Sequence, residues 1–234
     1  GSGVAFDLTK AISDGKTFQG LGSKEYPFQG TIVITNAESE IEIPVNRSFF
    51  NYLDQSATIA DGLYLKAGEN FITPLLAENF VNTANKDEDA NLSLIIDAAQ
   101  DANASTSGTD ERCSFGGLIG NMATGTKLSL SVVNKITDTG KTKVSGTGNL
   151  GFFCNTMEED ASLTITSYTG DADYTVSTEN GHAGGLVGEM KGNAALTVTS
   201  KQALEGSVQT AGEMCSAGGL VGKVNTPNIT LIGK

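Results

Sequence analysis

Gly184-Gly185-Leu186-Val187-Gly188 returns as Gly218-Gly219-Leu220-Val221-Gly222 and stands earlier as Gly116-Gly117-Leu118-Ile119-Gly120. A worn copy, Leu150-Gly151-Phe152-Phe153-Cys154, lies between them. Gly117, Gly151, Gly185 and Gly219 are evenly spaced along the chain. Their period, about 34 residues, marks a stack of similar units, each too small to bury its apolar face alone.

Ten to twelve residues after each copy comes an alternating run: Leu128-Ser129-Leu130-Ser131, Leu163-Thr164-Ile165-Thr166, Leu196-Thr197-Val198-Thr199 and Ile229-Thr230-Leu231. A weaker third run follows around Val144, Val176 and Val208. Period-2 alternation is a strand signal and excludes a helical repeat of this length. Propeller blades need about 40–45 residues and four strands. The pattern therefore predicts an all-β fold, a right-handed parallel β-solenoid of about six turns with three strands per turn and an N-terminal cap.

Three stretches are expected within this one structural domain. Residues 1–47 form the cap and first strands, with Ile32/Ile34 and Ile41-Glu42-Ile43 alternating; an exposed first edge needs such cover. Residues 48–114 form irregular turns with a polar loop from Gln100 to Thr109. Residues 115–234 form the regular turns. Gly1-Ser2-Gly3 reads as a cloning scar and the last turn is half a period long, so the chain is expected to be an excised piece of a longer one.

Composition narrows function by exclusion. The chain has 234 residues, 29 Gly and a net charge of −12. Its 15 basic residues form no run, which argues against a nucleic-acid or anionic-lipid partner. No apolar run approaches the roughly 18 residues that span a bilayer. The single histidine, His182, cannot build a His-based zinc site, and Cys113, Cys154 and Cys215 form no C-x-x-C. All three thiols are expected to be unpaired: Cys113 and Cys215 lie three turns apart, roughly 14 Å at the strand spacing, beyond disulfide reach. Asp87/Glu88/Asp89 and Glu158/Glu159/Asp160 could offer oxygen ligands to Ca²⁺, but lack a calcium loop's glycine spacing and read as solvated turns. No metal, cofactor or catalytic residue is assigned, and the chain is not expected to be an enzyme.

Taken as one strand, Gly184–Met190 turns Leu186, Gly188 and Met190 inward. Stacking the copies at their even spacing gives inward ladders Leu118/Phe152/Leu186/Leu220, Gly120/Cys154/Gly188/Gly222 and Met122/Thr156/Met190/Val224. An outward apolar ladder remains, Ile119, Phe153, Val187 and Val221. It is one candidate binding surface, unless the strand bends there or a corner folds over it. The other is the hydroxyl array of Thr164, Thr166, Thr197 and Thr199, continued by Ser129/Ser131 and Thr230. Such arrays resemble ice-binding faces, although exposed strand positions favour threonine anyway.

The Ala-Gly-Gly-Leu-Val-Gly copies at 183–188 and 217–222, each followed by a Leu-Thr-Val-Thr-type strand, resemble the GLUG motif. That motif occurs in large secreted and wall-attached proteins of Gram-positive bacteria, including the scaffold region of some IgA-cleaving proteases. The resemblance covers roughly Phe115 to Lys234. Pro27-Phe28-Gln29-Gly30-Thr31-Ile32 is more weakly similar to the lead-in before such repeats, and Leu150–Cys154 departs from the motif. The resemblance implies a cell-surface β-helix scaffold or adhesin-like stalk and carries over no catalytic residues. The expected function is thus an extracellular, surface-attached module that presents loops or a sheet face to a glycan or protein, with end-to-end self-association as a further partner mode. The alternatives are a polysaccharide-active β-helix enzyme fragment and an ice-binding solenoid.

Overall fold

The alternating runs do form strands, and the strands stack in parallel. The computed structural model describes residues 20–32, 41–43, 47–59, 63–67, 73–98, 114–136, 142–170, 173–200, 205–226 and 228–233. Residues 1–19, Ile34, the Gln100–Thr109 tract and Cys113 lie outside the described residues.

The early strands are β1 (Thr31–Ile32), β2 (Ile41–Ile43), β3 (Phe50–Asp54), β4 (Thr58–Ile59), β5 (Leu63–Ala67), β6 (Ala77–Val81) and β7 (Ala90–Ala98). The regular turns follow. The first holds β8 (Ile119–Met122), β9 (Lys127–Asn134), β10 (Thr142–Gly146) and β11 (Leu150–Gly151). The second holds β12 (Cys154–Met157), β13 (Ser162–Thr169), β14 (Asp173–Thr178) and β15 (Ala183–Gly184). The third holds β16 (Val187–Met190), β17 (Ala195–Ser200), β18 (Glu205–Thr210) and β19 (Ala217–Gly218). The fourth has β20 (Val221–Val224) and β21 (Asn228–Gly233).

Corresponding strands pair into long sheets. One is six-stranded, β20-β16-β12-β8-β6-β3, and one seven-stranded, β2-β5-β7-β9-β13-β17-β21. Two three-stranded sheets, β10-β14-β18 and β11-β15-β19, complete the regular turns, and β1 pairs with β4. The fold is a parallel β-solenoid. It has about four turns of about 33 residues, fewer than the six expected, and six strands stack in its six-stranded sheet. Each of the first three regular turns has a fourth, two-residue strand that the sequence pattern does not anticipate.

The core is a set of ladders running up the stack. Leu128/Leu163/Leu196/Ile229 and Leu130/Ile165/Val198/Leu231 line one wall, in register. Met122/Met157/Met190/Val224 face them from the six-stranded sheet. In all three ladders the first three members are buried, each worth about 1.5–3 kcal/mol of transfer free energy. At one end, Leu21 and Phe28 bridge to Phe50 and Leu53, and the Phe28 ring lies 5.3 Å from that of Phe50. At the other end the last level is open, with Leu231 53 % and Ile232 56 % exposed.

The register of the worn copy differs from the even alignment. Ile119, Cys154, Val187 and Val221 are the true partners, so one interval is a residue longer than the period and the next a residue shorter. Phe152 therefore stands where the other copies carry their second glycine, and Cys154 where they carry Ile or Val. Met157, not Thr156, joins the methionine ladder. The surplus residue is absorbed in the ladder of amides. Leu186 and Val187 both donate to the Leu220 carbonyl, and Phe153 and Cys154 both donate to that of Leu186. Leu118 and Ile119 instead find separate acceptors, the carbonyls of Phe152 and Phe153.

Candidate functional site

The Gly-Gly-Leu-Val-Gly stretch is not one strand. Ala183–Gly184 ends one short strand, Gly185-Leu186 bends, and Val187–Met190 begins the next. The bend resets the alternation, so consecutive residues Leu186 and Val187 are both buried. The supposed outward ladder is therefore corrected: Ile119, Phe153 and Val187 are fully buried in the core, and Val221 is half-buried at its open end. It offers no apolar docking stripe.

The glycines serve close backbone approach. A Cβ on Gly184 would lie 1.8 Å from the Val187 carbonyl oxygen, and one on Gly188 2.5 Å from the Leu150 amide nitrogen. The two-residue strands nest against the six-stranded sheet at a distance that only glycine permits. They are not the small inward members of a core ladder. Asn155 occupies the third glycine position of the worn copy. Its side chain ties that level together, donating to the Gly116 carbonyl (2.9 Å) and accepting from the Gly151 amide (3.1 Å).

Between the buried residues of the six-stranded sheet runs a polar row, Asn79/Asn121/Thr156/Glu189/Lys223, in register. Glu189 is buried among polar partners. Its carboxylate takes the Lys223 ammonium at 2.9 Å and the Asn149 amide at 2.8 Å. Burial pushes the Glu189 carboxyl up, but the Lys223 hydrogen bond and charge, the Asn149 hydrogen bond and the Lys191 charge together hold it below its ordinary value. Asp54 behaves alike. Burial raises it, and hydrogen bonds from Ser56 and Thr83 more than compensate. Nothing in the sequence pattern signals that Glu189 and Lys223 pair. Asn149 lies in a corner, outside any periodic pattern.

These two carboxylates give a pH prediction. A depressed folded pKa contributes stability that is present above the unfolded carboxyl value, about 4, and is lost as pH falls through the folded value. Glu189→Gln is therefore expected to cost about 1 kcal/mol at neutral pH. In thermal melts across pH, the gap to the unsubstituted chain should close below about pH 4. A gap that persists in acid would show that the effect is packing and not ionisation.

The hydroxyl array divides. Ser129, Thr164, Thr197 and Thr230 do form one ladder, with Thr164 and Thr197 half-exposed. The second ladder does not form. A bulge at Thr166 lets Ser131 pair with Ser167, and Thr199 pairs with Ile232. Thr166 is exposed, and its hydroxyl turns to the Leu130 carbonyl at 3.3 Å. The flat two-row face that ordered water would require is interrupted at that level.

The remaining chemistry-bearing residues have structural partners. His182 Nδ1 lies 2.8 Å from Ser216 Oγ, which itself donates to the Gly222 carbonyl, so the serine proton is committed to the backbone. Glu158 pairs with Lys191 at 2.8 Å. The Asp87–Asp89 corner is exposed, and Gln55 and Lys127 hold its carbonyls. Among the described residues no three His, Cys, Asp or Glu side chains converge as an ion would need. Burial raises the Cys154 thiol to about 12, whereas Cys215 is only half-buried. In a Cys113→Ser background, a maleimide should label Cys215 at least about 100-fold faster than Cys154 in the folded chain. Equal rates would mean that the core opens at Cys154.

The fold and its surfaces define a β-solenoid repeat protein with a continuous apolar core and stacked polar rows. No protein-family model, curated protein or solved structure matches the chain.

Proposed function

We propose that this solenoid is an extracellular bacterial surface scaffold or adhesion module of the GLUG-repeat kind, presenting a sheet face to a glycan or protein. The observation that carries the reading is the pair of level-by-level polar rows, Asn79/Asn121/Thr156/Glu189/Lys223 and Ser129/Thr164/Thr197/Thr230. Hydroxyl, amide and charged groups repeated at the strand spacing of about 4.8 Å suit a long polymeric or protein surface better than a small molecule. Surface attachment and end-to-end self-association belong to the same proposal. The rigid stack suits a spacer, since each level contacts only its neighbours.

Glycan and matrix-protein arrays probed with the folded chain test the adhesion half of the reading. Binding that weakens at least tenfold on Asn121→Ala or Thr197→Ala supports it. Uniformly blank arrays would remove the adhesion role and leave a passive stalk.

A further inference from the structure

We propose that Asn180-Gly181 is a self-modifying site at which the chain deamidates, and that the change unlocks the last turns of the solenoid. It is the one Asn-Gly pair in the sequence. The pair forms the corner between β14 and β15, where Asn180 is exposed and Gly181 has φ +133°, a conformation that side-chain-bearing residues rarely adopt. A residue following asparagine normally shields its amide nitrogen with its own side chain; glycine does not.

The reaction needs only water. The Gly181 nitrogen, having given its proton to solvent base, attacks Asn180 Cγ; the side-chain nitrogen takes a proton back from solvent, the Cγ–Nδ2 bond breaks and ammonia leaves. Water then opens the five-membered imide at either carbonyl. One opening gives an aspartate. The other gives an isoaspartate, in which the main chain runs through the former side-chain methylene and is one carbon longer.

The corner cannot take that carbon in place. It is stacked between the levels on either side. The Gly148 amide donates to the Asn180 carbonyl at 2.5 Å, the Gly181 amide donates to Cys215 Sγ at 3.1 Å, and Thr210 Oγ1 donates to the Gly181 carbonyl at 2.9 Å. A Cβ on Gly181 would already lie 2.3 Å from the Gly148 backbone. Among the described residues the nucleophile's hydrogen bond is to sulfur, a weak acceptor, so releasing it costs little. The product also adds a negative charge to a chain already at −12. Modification would therefore separate the corner from both neighbours and loosen β18 and β19.

The test is to age the full chain in mildly alkaline buffer and follow it by peptide mapping, scoring the one-dalton gain at each asparagine. Position 180 is expected to change at least tenfold faster than Asn193, Asn225 or any other asparagine, and Asn180→Gln should abolish the fast phase. The modified fraction, separated by charge, should exchange the amides of Gly206–Thr210 at least tenfold faster. A rate at position 180 no higher than at Asn193 overturns the site. Unchanged exchange in the modified fraction overturns the unlocking.

Discussion

Gly184→Ala is expected to destabilise the regular turns by about 3–5 kcal/mol, while Gly219→Ala, in the last copy of the same motif, should leave stability unchanged or raise it by up to about 1 kcal/mol. The contrast follows from what each new methyl would meet. At Gly184 the nearest atoms are backbone: the Val187 carbonyl oxygen at 1.8 Å and the Gly222 amide nitrogen at 2.6 Å. Neither can rotate away. The short strand β15 would have to draw back from the six-stranded sheet it nests against, disturbing the register that β15 shares with β11 and β19. At Gly219 a Cβ meets nothing within 4 Å among the described residues, so alanine there only narrows the unfolded ensemble. Denaturant melts of the two variants, with equal m-values required, measure the difference. Equal losses at both positions would mean that the glycines act through chain flexibility and not through close approach.

That contrast also marks how far the sequence could be read. The even recurrence of the glycine motif and the Leu-Thr-Val-Thr alternation sufficed for the solenoid, because ladders of identical residues in successive turns leave a direct periodic trace. The inward rows of β9, β13 and β17 were legible for that reason. The motif itself was not. Alternation presumes an unbroken strand, and nothing in Gly-Gly-Leu-Val-Gly announces the bend at Gly185-Leu186 that buries Leu186 and Val187 together. The outward stripe of Ile119, Phe153 and Val187 was an artefact of that presumption. The Thr166 bulge was equally invisible, since one surplus residue in a Thr/Ser-rich strand leaves the composition intact while moving every later side chain by one place. Asn149 and Asn180 act from corners, where lengths vary and periodicity says nothing. Those corners are also where the chemistry outside the core gathers.

The worn copy supplies the other large effect, because there the repeat's own consensus should be the wrong residue. The register places Phe152 opposite the second motif glycine, so a design guided by the other copies would install glycine or alanine. Phe152→Ala is instead expected to cost about 3–5 kcal/mol, the range for emptying a buried aromatic site. Phe152 is fully buried at the centre of an aromatic cluster, its ring centroid 4.9 Å from Phe153, 5.7 Å from Tyr174, 5.8 Å from Tyr168 and 6.2 Å from Phe115. These rings come from consecutive levels, so the cavity would weaken the contact between turns as well as the turn itself. Nor could the neighbours close over it: Phe153 and Cys154 are fixed by their shared donation to the Leu186 carbonyl, and Leu118 by donation to the Phe152 carbonyl. Phe152→Leu, which keeps most of the volume, should recover more than half of the loss. Thermal and denaturant unfolding of the three proteins decides the matter. If Phe152→Ala proved as stable as the unsubstituted chain, the ring would be filling space that the copies with glycine manage without, and the uneven intervals on either side of it would need another cause.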